Sequence, residues 1–290
     1  MLLSPQTLAR LERLTLMSRR ALAGQLQGQR RSPKRGQSIE FADFRPYTRG
    51  DDFRRIDWNA YARLERLFIK LFVEEEDLTI HLLLDTSRSM DWGEPNKLHY
   101  ARQAAAALGY VALHSLDRVT VTAFAPRQNT SALPALRGKA NAPQLFSFLE
   151  SLPPAERTDL GPRLQRYALQ AAQRGPLLLF SDLLDPTWQQ GLHALAGRSF
   201  EITVLHILAP QEYNPNLRGD LKLRDIETGQ CLEISLDDIT LRHYHETLDS
   251  WQREIRAFCQ ARRILYLPVR SDTPLESLIF AHLAAHGLVK

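Results

Sequence analysis

The sequence predicts an α/β fold: a mostly parallel, doubly wound sheet with helices on both faces, a small N-terminal module, and a hairpin insert toward the C-terminus. Three observations carry this expectation. The runs "LTIHLLLD" (78–85), "PLLLFSD" (176–182) and "FEITVLHIL" (200–208) are continuously apolar, as strands buried on both faces are. Segments with helical periodicity lie between them. Strand and helix alternating in this rhythm require crossover connections and hence a parallel sheet.

The elements follow in order. Residues 5–27 predict a helix, with Leu8, Leu11, Leu14, Leu16 and Leu22 near helical spacing, and Gly28–Ser38 a breaker-rich loop. Residues 39–63 are dense in aromatic and charged side chains, and "LFIKLFVEEED" (67–77) has strand composition. A helix over 96–116 carries the stripe Leu98, Ala101, Ala105, Leu108 and Ala112, whose alanines allow close approach to a sheet. "RVTVTAFA" (118–125) predicts a strand, "TSALPAL" an antiparallel return, and 142–152 and 160–174 two helices. Asp185 and Pro186 suit the N-cap and first position of another helix. "LKLRDIETGQCLEI" predicts a hairpin turning at Gly229, followed by a long helix with Tyr244, Leu248, Trp251, Ile255 and Phe258 inward. The strand "RILYLPV" (263–269) precedes a last helix with Thr273 and Glu276 as capping box and Gly287 as stop. These readings divide the chain into an N-terminal region, 1–76, and a sheet domain, 77–290, with its insert at about 219–236.

Composition narrows the function classes. Of 290 residues, 44% are apolar and 24% charged, ordinary for a soluble globular protein. No apolar run approaches the roughly 18–20 residues of a membrane span, and Arg10, Glu12 and Arg13 interrupt any secretory signal, so a cytoplasmic location is expected. Cys231 and Cys259 are too few for a disulfide framework or a zinc cluster. Residues 1–35 hold eight Arg or Lys against Glu12 alone, a basic segment that could meet nucleic acid, an anionic membrane or an acidic protein. The lack of aromatics among those arginines disfavours nucleic acid. P-loop, GxGxxG and GxSxG motifs are absent, which removes the usual nucleotide-binding and serine-hydrolase readings.

Asp85 and Asp182 each close a buried strand, and in open α/β sheets ligands sit beyond the carboxyl ends of the strands. Two carboxylates on one rim repel unless a cation or a proton intervenes. With Ser87 and Ser89 they offer only oxygen, which argues against zinc or copper and suits Mg²⁺, or Mn²⁺ as a substitute. A strand followed by "DTSRS" equally suits a helix entry with capping serines. The stretch "MDWGEP" between Ser89 and the next helix weighs against that alternative.

The motif Asp85-Thr-Ser87-Arg-Ser89 resembles the DxSxS of the metal-ion-dependent adhesion site in von Willebrand factor A-like domains. That family also uses a threonine in a later loop and an aspartate after a later strand; Thr158 and Asp182 stand in the matching order. The resemblance implies Mg²⁺ held by Asp85, Ser87, Ser89, Thr158 and Asp182. Many relatives place glycine after the last aspartate, where this chain has Leu183. Upstream, Arg45, Tyr47, Gly50-Asp51-Asp52, Arg54, Ile56-Asp57-Trp58 and Ala62-Arg63 resemble the signature of the bacterial family called domain of unknown function fifty-eight. This resemblance implies work alongside a MoxR-type AAA+ ATPase.

The expected function is therefore a non-enzymatic adaptor whose metal site takes an Asp or Glu from a partner or client protein. A metal-dependent phosphoester hydrolase is the alternative, with His99, Asp91 or Asp159 as base. A nucleic-acid or membrane-surface protein acting through residues 10–35 is the third reading. Within the 39–63 block, the alternating charges Arg49, Asp51, Asp52, Arg54, Arg55 and Asp57 suggest an ion-pair and hydrogen-bond network that shapes a small module.

Overall fold

The computed structural model describes residues 2–17, 39–48, 51, 53, 56–74, 78–124, 130–154, 159–226 and 229–290. The chain forms two compact units: Gly28–Asp77, and Met1–Gln27 together with Leu78–Lys290. The first helix, α1 (Pro5–Leu11), is capped by Ser4, whose hydroxyl accepts from the Thr7 N–H. It ends well before the leucine spacing predicts. Thr15 and Met17 instead donate their N–H groups to the carbonyls of Lys290 and Leu288, and Leu16 bridges Val289. Extended pairing with the C-terminal segment replaces helix there. Residues 18–38, with most of the basic segment, lie outside the described residues.

The N-terminal helix belongs with the sheet, so the expected 1–76 region is divided. Leu11 is wholly buried in the sheet unit's core, and Glu12 accepts from the Tyr110 hydroxyl at 2.7 Å and pairs with Lys139 at 2.5 Å.

In the smaller unit β1 (Ile39–Pro46) pairs antiparallel with β2 (Phe68–Glu74), with a bulge between Phe41 and Asp43. Between them lies α2 (Trp58–Leu64), capped by Asp57, which accepts from the N–H groups of Asn59 and Ala60. Asp51 accepts the N–H and hydroxyl of Thr48 and pairs with Arg45 at 2.8 Å. The Thr48 bonds, then Arg45, hold its carboxyl down at about 2. Charge here shapes a local turn through Arg45 and Asp51; of the alternating set, Arg49, Asp52, Arg54 and Arg55 lie outside the described residues.

The larger unit is built on a six-stranded sheet. In chain order its parts are β3 (Thr79–Asp85), α3 (Lys97–His114), β4 (Arg118–Phe124), β5 (Thr130–Arg137), α4 (Ala142–Ser151), α5 (Leu160–Gln170), β6 (Pro176–Ser181), α6 (Trp188–Gly197), β7 (Glu201–Leu208) and the short α7 (Pro210–Tyr213). There follow the hairpin β8 (Gly219–Arg224) and β9 (Cys231–Leu236), α8 (Asp238–Ala261), β10 (Leu265–Arg270) and α9 (Leu275–Ser277), which continues as a π-helical stretch, Leu278–Leu283. The sheet order is β10-β7-β6-β3-β4-β5, all parallel except the edge strand β5. Counting only these six in chain order gives 3-2-1-4-5-6, the doubly wound order that reverses direction between β3 and β6.

Side chains alternate across this sheet as strand geometry requires. Leu82 and Leu84 enter a core with α1, α3 and α4, while Leu83 enters the opposite core with α5, α6 and α8. The hairpin forms as expected, with Gly229 at φ +72°, and Gly287 ends the C-terminal helical segment at φ +66°. In α8 only Ile255 and Cys259 are wholly enclosed, whereas Tyr244 is 37% exposed.

Two expected caps differ. The N-cap of α6 is Thr187, not Asp185; Asp185 accepts from the N–H and hydroxyl of Thr187 and, through Oδ2, from the Leu160 N–H at 3.0 Å. Its carboxylate thus serves the start of another helix. The Thr273–Glu276 box does not form: α9 starts after Pro274, and Glu276 pairs with Arg10 of α1.

Helices α5 and α6 meet at Gly161 and Gly191. A methyl group on Gly161 would overlap the Thr187 carbonyl, and one on Gly191 would stand 2.9 Å from Leu164 Cβ. Gly161→Ala should therefore destabilise the protein by roughly 1–3 kcal/mol through overpacking. Thermal unfolding would register a lower midpoint; an unchanged midpoint would contradict this close approach.

Candidate functional site

The reversal point between β3 and β6 is where a crevice opens at the carboxyl ends of the strands. Asp85 ends β3, and Asp182 directly follows β6. Asp85 is 3% exposed and Asp182 1%. The "DTSRS" segment leaves β3 as a tight loop in which Asp85 Oδ1 accepts the Ser87 N–H at 2.9 Å. Ser87 Oγ lies 2.9 Å from Ser89 Oγ, and both residues are buried. Asp85 Oδ2 accepts from Ser181 Oγ at 2.7 Å, and that hydroxyl in turn accepts the Leu183 N–H at 3.0 Å. Asp85, Ser87 and Ser89 are thus brought together. The helix that follows is capped by Asn96, not by these serines. Thr86 faces away from them. Its hydroxyl donates to the Phe124 carbonyl and pins the loop to β4.

Leu183 occupies the left-handed region at φ +54°, the conformation glycine adopts without strain. A non-glycine residue there costs about 1–3 kcal/mol, and burying a leucine contributes about 1.5–3 kcal/mol. Leu183 is 1% exposed, so its packing offsets the strained backbone.

Thr158 lies outside the described residues. The chain just after it is tied to the rim nonetheless. Leu160 N–H donates to Asp185, and Gly161 N–H donates to Thr187 Oγ1 at 3.0 Å. Among the described residues no group of three or more His, Cys, Asp or Glu side chains is arranged to hold a metal. Any ion would depend on the serine hydroxyls beside Asp85.

Lys97 was not among the residues the sequence pointed to. Its side chain is 0% exposed, and its ammonium donates to Asp182 Oδ2 at 2.9 Å and to Glu212 Oε1 at 2.5 Å. Burial opposes the Lys97 charge, but Asp182 and Glu212 outweigh it and hold its pKa above the ordinary value. Burial also raises Glu212, with Lys97 working against that shift. One signal was available. Lys97 is the first residue of α3, where a cation opposes the helix dipole and needs an acid nearby.

His206 orients Asp182 from behind. Its Nε2 lies 2.9 Å from the Asp182 carbonyl and its Nδ1 2.6 Å from the Tyr266 hydroxyl. Burial lowers its pKa to about 4, so the ring is neutral near pH 7. Nε2–H must then donate to the carbonyl, and the Tyr266 hydroxyl to Nδ1. His81 is likewise a buried, hydrogen-bonded core residue, facing Tyr167 and Thr120. His99, Asp91 and Asp159 are exposed, and Asp91 accepts from the Asn96 amide.

Comparison with known proteins decides the family. The profile described as "Protein of unknown function DUF58" matches residues 43–255. The chain belongs to the DUF58 family. Among the relatives of this DUF58 chain, the uncharacterized protein Rv1480 of Mycobacterium tuberculosis is 28% identical over 239 residues, 80% of this chain and 75% of its own. The uncharacterized protein MAV169 of Mycobacterium avium is 30% identical over 109 residues, 36% of this chain and 64% of its own. Among solved structures, BatB from Bacteroides thetaiotaomicron is similar at TM-score 0.45 and 16% identity, covering 72% of this chain and 98% of BatB. The SpRpn10 VWA domain is similar at TM-score 0.41 and 13% identity, covering 70% and 94%.

Burial, then the charge of Asp182, raises the Asp85 carboxyl to about 6, while the Ser181 and Ser87 hydrogen bonds temper the shift. The folded state therefore binds a proton that the unfolded chain has already lost between about pH 4 and 6. Stability from this group is present at low pH and lost as pH rises through 6. Without divalent cations, Asp85→Asn should gain stability relative to the native chain as pH rises across that window. Unfolding midpoints measured at pH 4, 5, 6 and 7 check this; a pH-independent difference would contradict it.

Proposed function

We propose that this DUF58 protein is a metal-dependent protein-binding adaptor acting in the cytoplasm. Asp85, Ser87 and Ser89 would hold Mg²⁺ directly, with Asp182 supporting them and Thr158 joining from its loop. The observation that carries this reading is the charge balance beneath the rim. Asp85, Asp182 and Glu212 are three enclosed or half-enclosed carboxylates, and among the described residues Lys97 is the one ammonium bound among them. Buried carboxylates without compensation are costly. A divalent cation beside Asp85 would supply compensating positive charge, and the all-oxygen donor set suits a hard ion.

A bound divalent cation would supply the positive charge that attracts an acidic side chain of a partner or client. The protein's own residues do the rest. Ser181 and the Ser87 N–H fix the Asp85 carboxylate, Thr86 anchors the loop, and His206 holds the Asp182 backbone. A MoxR-type AAA+ ATPase is the partner proposed to supply energy for remodelling or maturing the client. No helix among the described residues is long and apolar enough to cross a membrane. The hydrolase alternative gains nothing from the exposed positions of His99, Asp91 and Asp159. The basic-segment alternative rests on residues mostly outside those described.

Isothermal titration with Mg²⁺ and Mn²⁺ should give saturable heats for the native chain and none for Asp85→Ala. Client capture in a pull-down should be lost with chelator and in Asp85→Ala alike. Equal heats for the two proteins would refute the site.

A further inference from the structure

Resting on that reading, we propose that Lys97 is a positioning residue that withholds Asp182 from direct contact with a cation at the rim. Asp85 then remains the one carboxylate in direct contact. Each oxygen of Asp182 is already held from its own side of the crevice. Oδ2 accepts from Lys97 at 2.9 Å, Oδ1 from the Leu184 N–H at 3.3 Å, and the carbonyl from His206. Lys97 is held in turn by Glu212, whose Oε2 accepts the Ala209 N–H at 2.6 Å and whose carbonyl accepts the Tyr244 hydroxyl at 2.5 Å. The Trp92 ring closes the remaining side, 5.9 Å from the ammonium.

Asp85 is held differently. Its partners among the described residues are neutral hydroxyl and amide donors from Ser181 and Ser87. A cation can join those bonds without displacing another charge. At Asp182 it would have to draw Oδ2 away from an enclosed ammonium and approach a like charge in a low-dielectric setting. The consequence bears on function. With one carboxylate in contact, a divalent ion retains positive charge for an incoming Asp or Glu. With two it would be neutralised. Lys97 thereby lowers resting metal affinity and favours a ternary arrangement with an acidic partner.

Mn²⁺ titration of the full chain tests this, followed by electron paramagnetic resonance, with circular dichroism to confirm folding. Lys97→Met should tighten Mn²⁺ binding by about tenfold or more, since Asp182 Oδ2 is released from its tether and can join Asp85 at the ion. In an Asp182→Asn background the same change should shift affinity by less than about threefold, because Lys97 acts through Asp182. Unchanged affinity in Lys97→Met, or an undiminished gain in the double variant, would overturn the proposal. Should Lys97→Met fail to fold, Asp182→Asn and Asp85→Asn decide the matter. The first should lose less than about tenfold in affinity and the second more than about a hundredfold; equal losses would overturn the proposal. A native chain that binds no Mn²⁺ would instead remove the site itself, an outcome distinct from binding that ignores Lys97.

Discussion

The structure depends on how charge is kept at the point where the sheet reverses its strand order. Doubly wound topology leaves a crevice there, and the chain fills its floor with Asp85 and Asp182 and places Lys97 and Glu212 behind them. A core of leucine and alanine cannot solvate these groups. Each must find partners inside the protein, and the surrounding loops take their shapes from meeting that need.

The loops are correspondingly well fastened. Thr86 bonds β4, Ser181 joins Asp85 to the Leu183 turn, and Asp185 and Thr187 bind the start of α5. The neutral His206 ring holds the Asp182 carbonyl, with Tyr266 behind it. Loops tied to rigid strands and helices hold a ligand-binding geometry better than free ones. Lys97 and Glu212 extend the arrangement to α7 and, through Tyr244, to α8, the elements on either side of the hairpin insert.

Much of this was legible in the sequence. The apolar runs placed the central strands, and the acid at the end of each placed Asp85 and Asp182 on one rim, because parallel strands share a carboxyl edge. The "DTSRS" loop and the separation of its serines from the next helix were also readable. What escaped depended on contacts distant along the chain. Lys97 and Glu212 are 115 residues apart, and nothing local to either names the other. The leucines after α1 fit a helix, yet Thr15–Met17 pair with the far end of the chain. Asp185 beside Pro186 fits a helix cap, but its carboxylate reaches back to Leu160. In the last two cases local pattern gave a sound expectation that a long-range hydrogen bond overrode.

The rim is proposed to take one divalent cation. Anomalous diffraction from crystals grown with Mn²⁺ tests that most directly. A single strong peak is expected within coordination distance of the Asp85 carboxylate and the Ser87 and Ser89 hydroxyls, with the Lys97 ammonium still seated on Asp182. Saturating Mn²⁺ with no peak there, and the serine hydroxyls turned to backbone carbonyls, would contradict it.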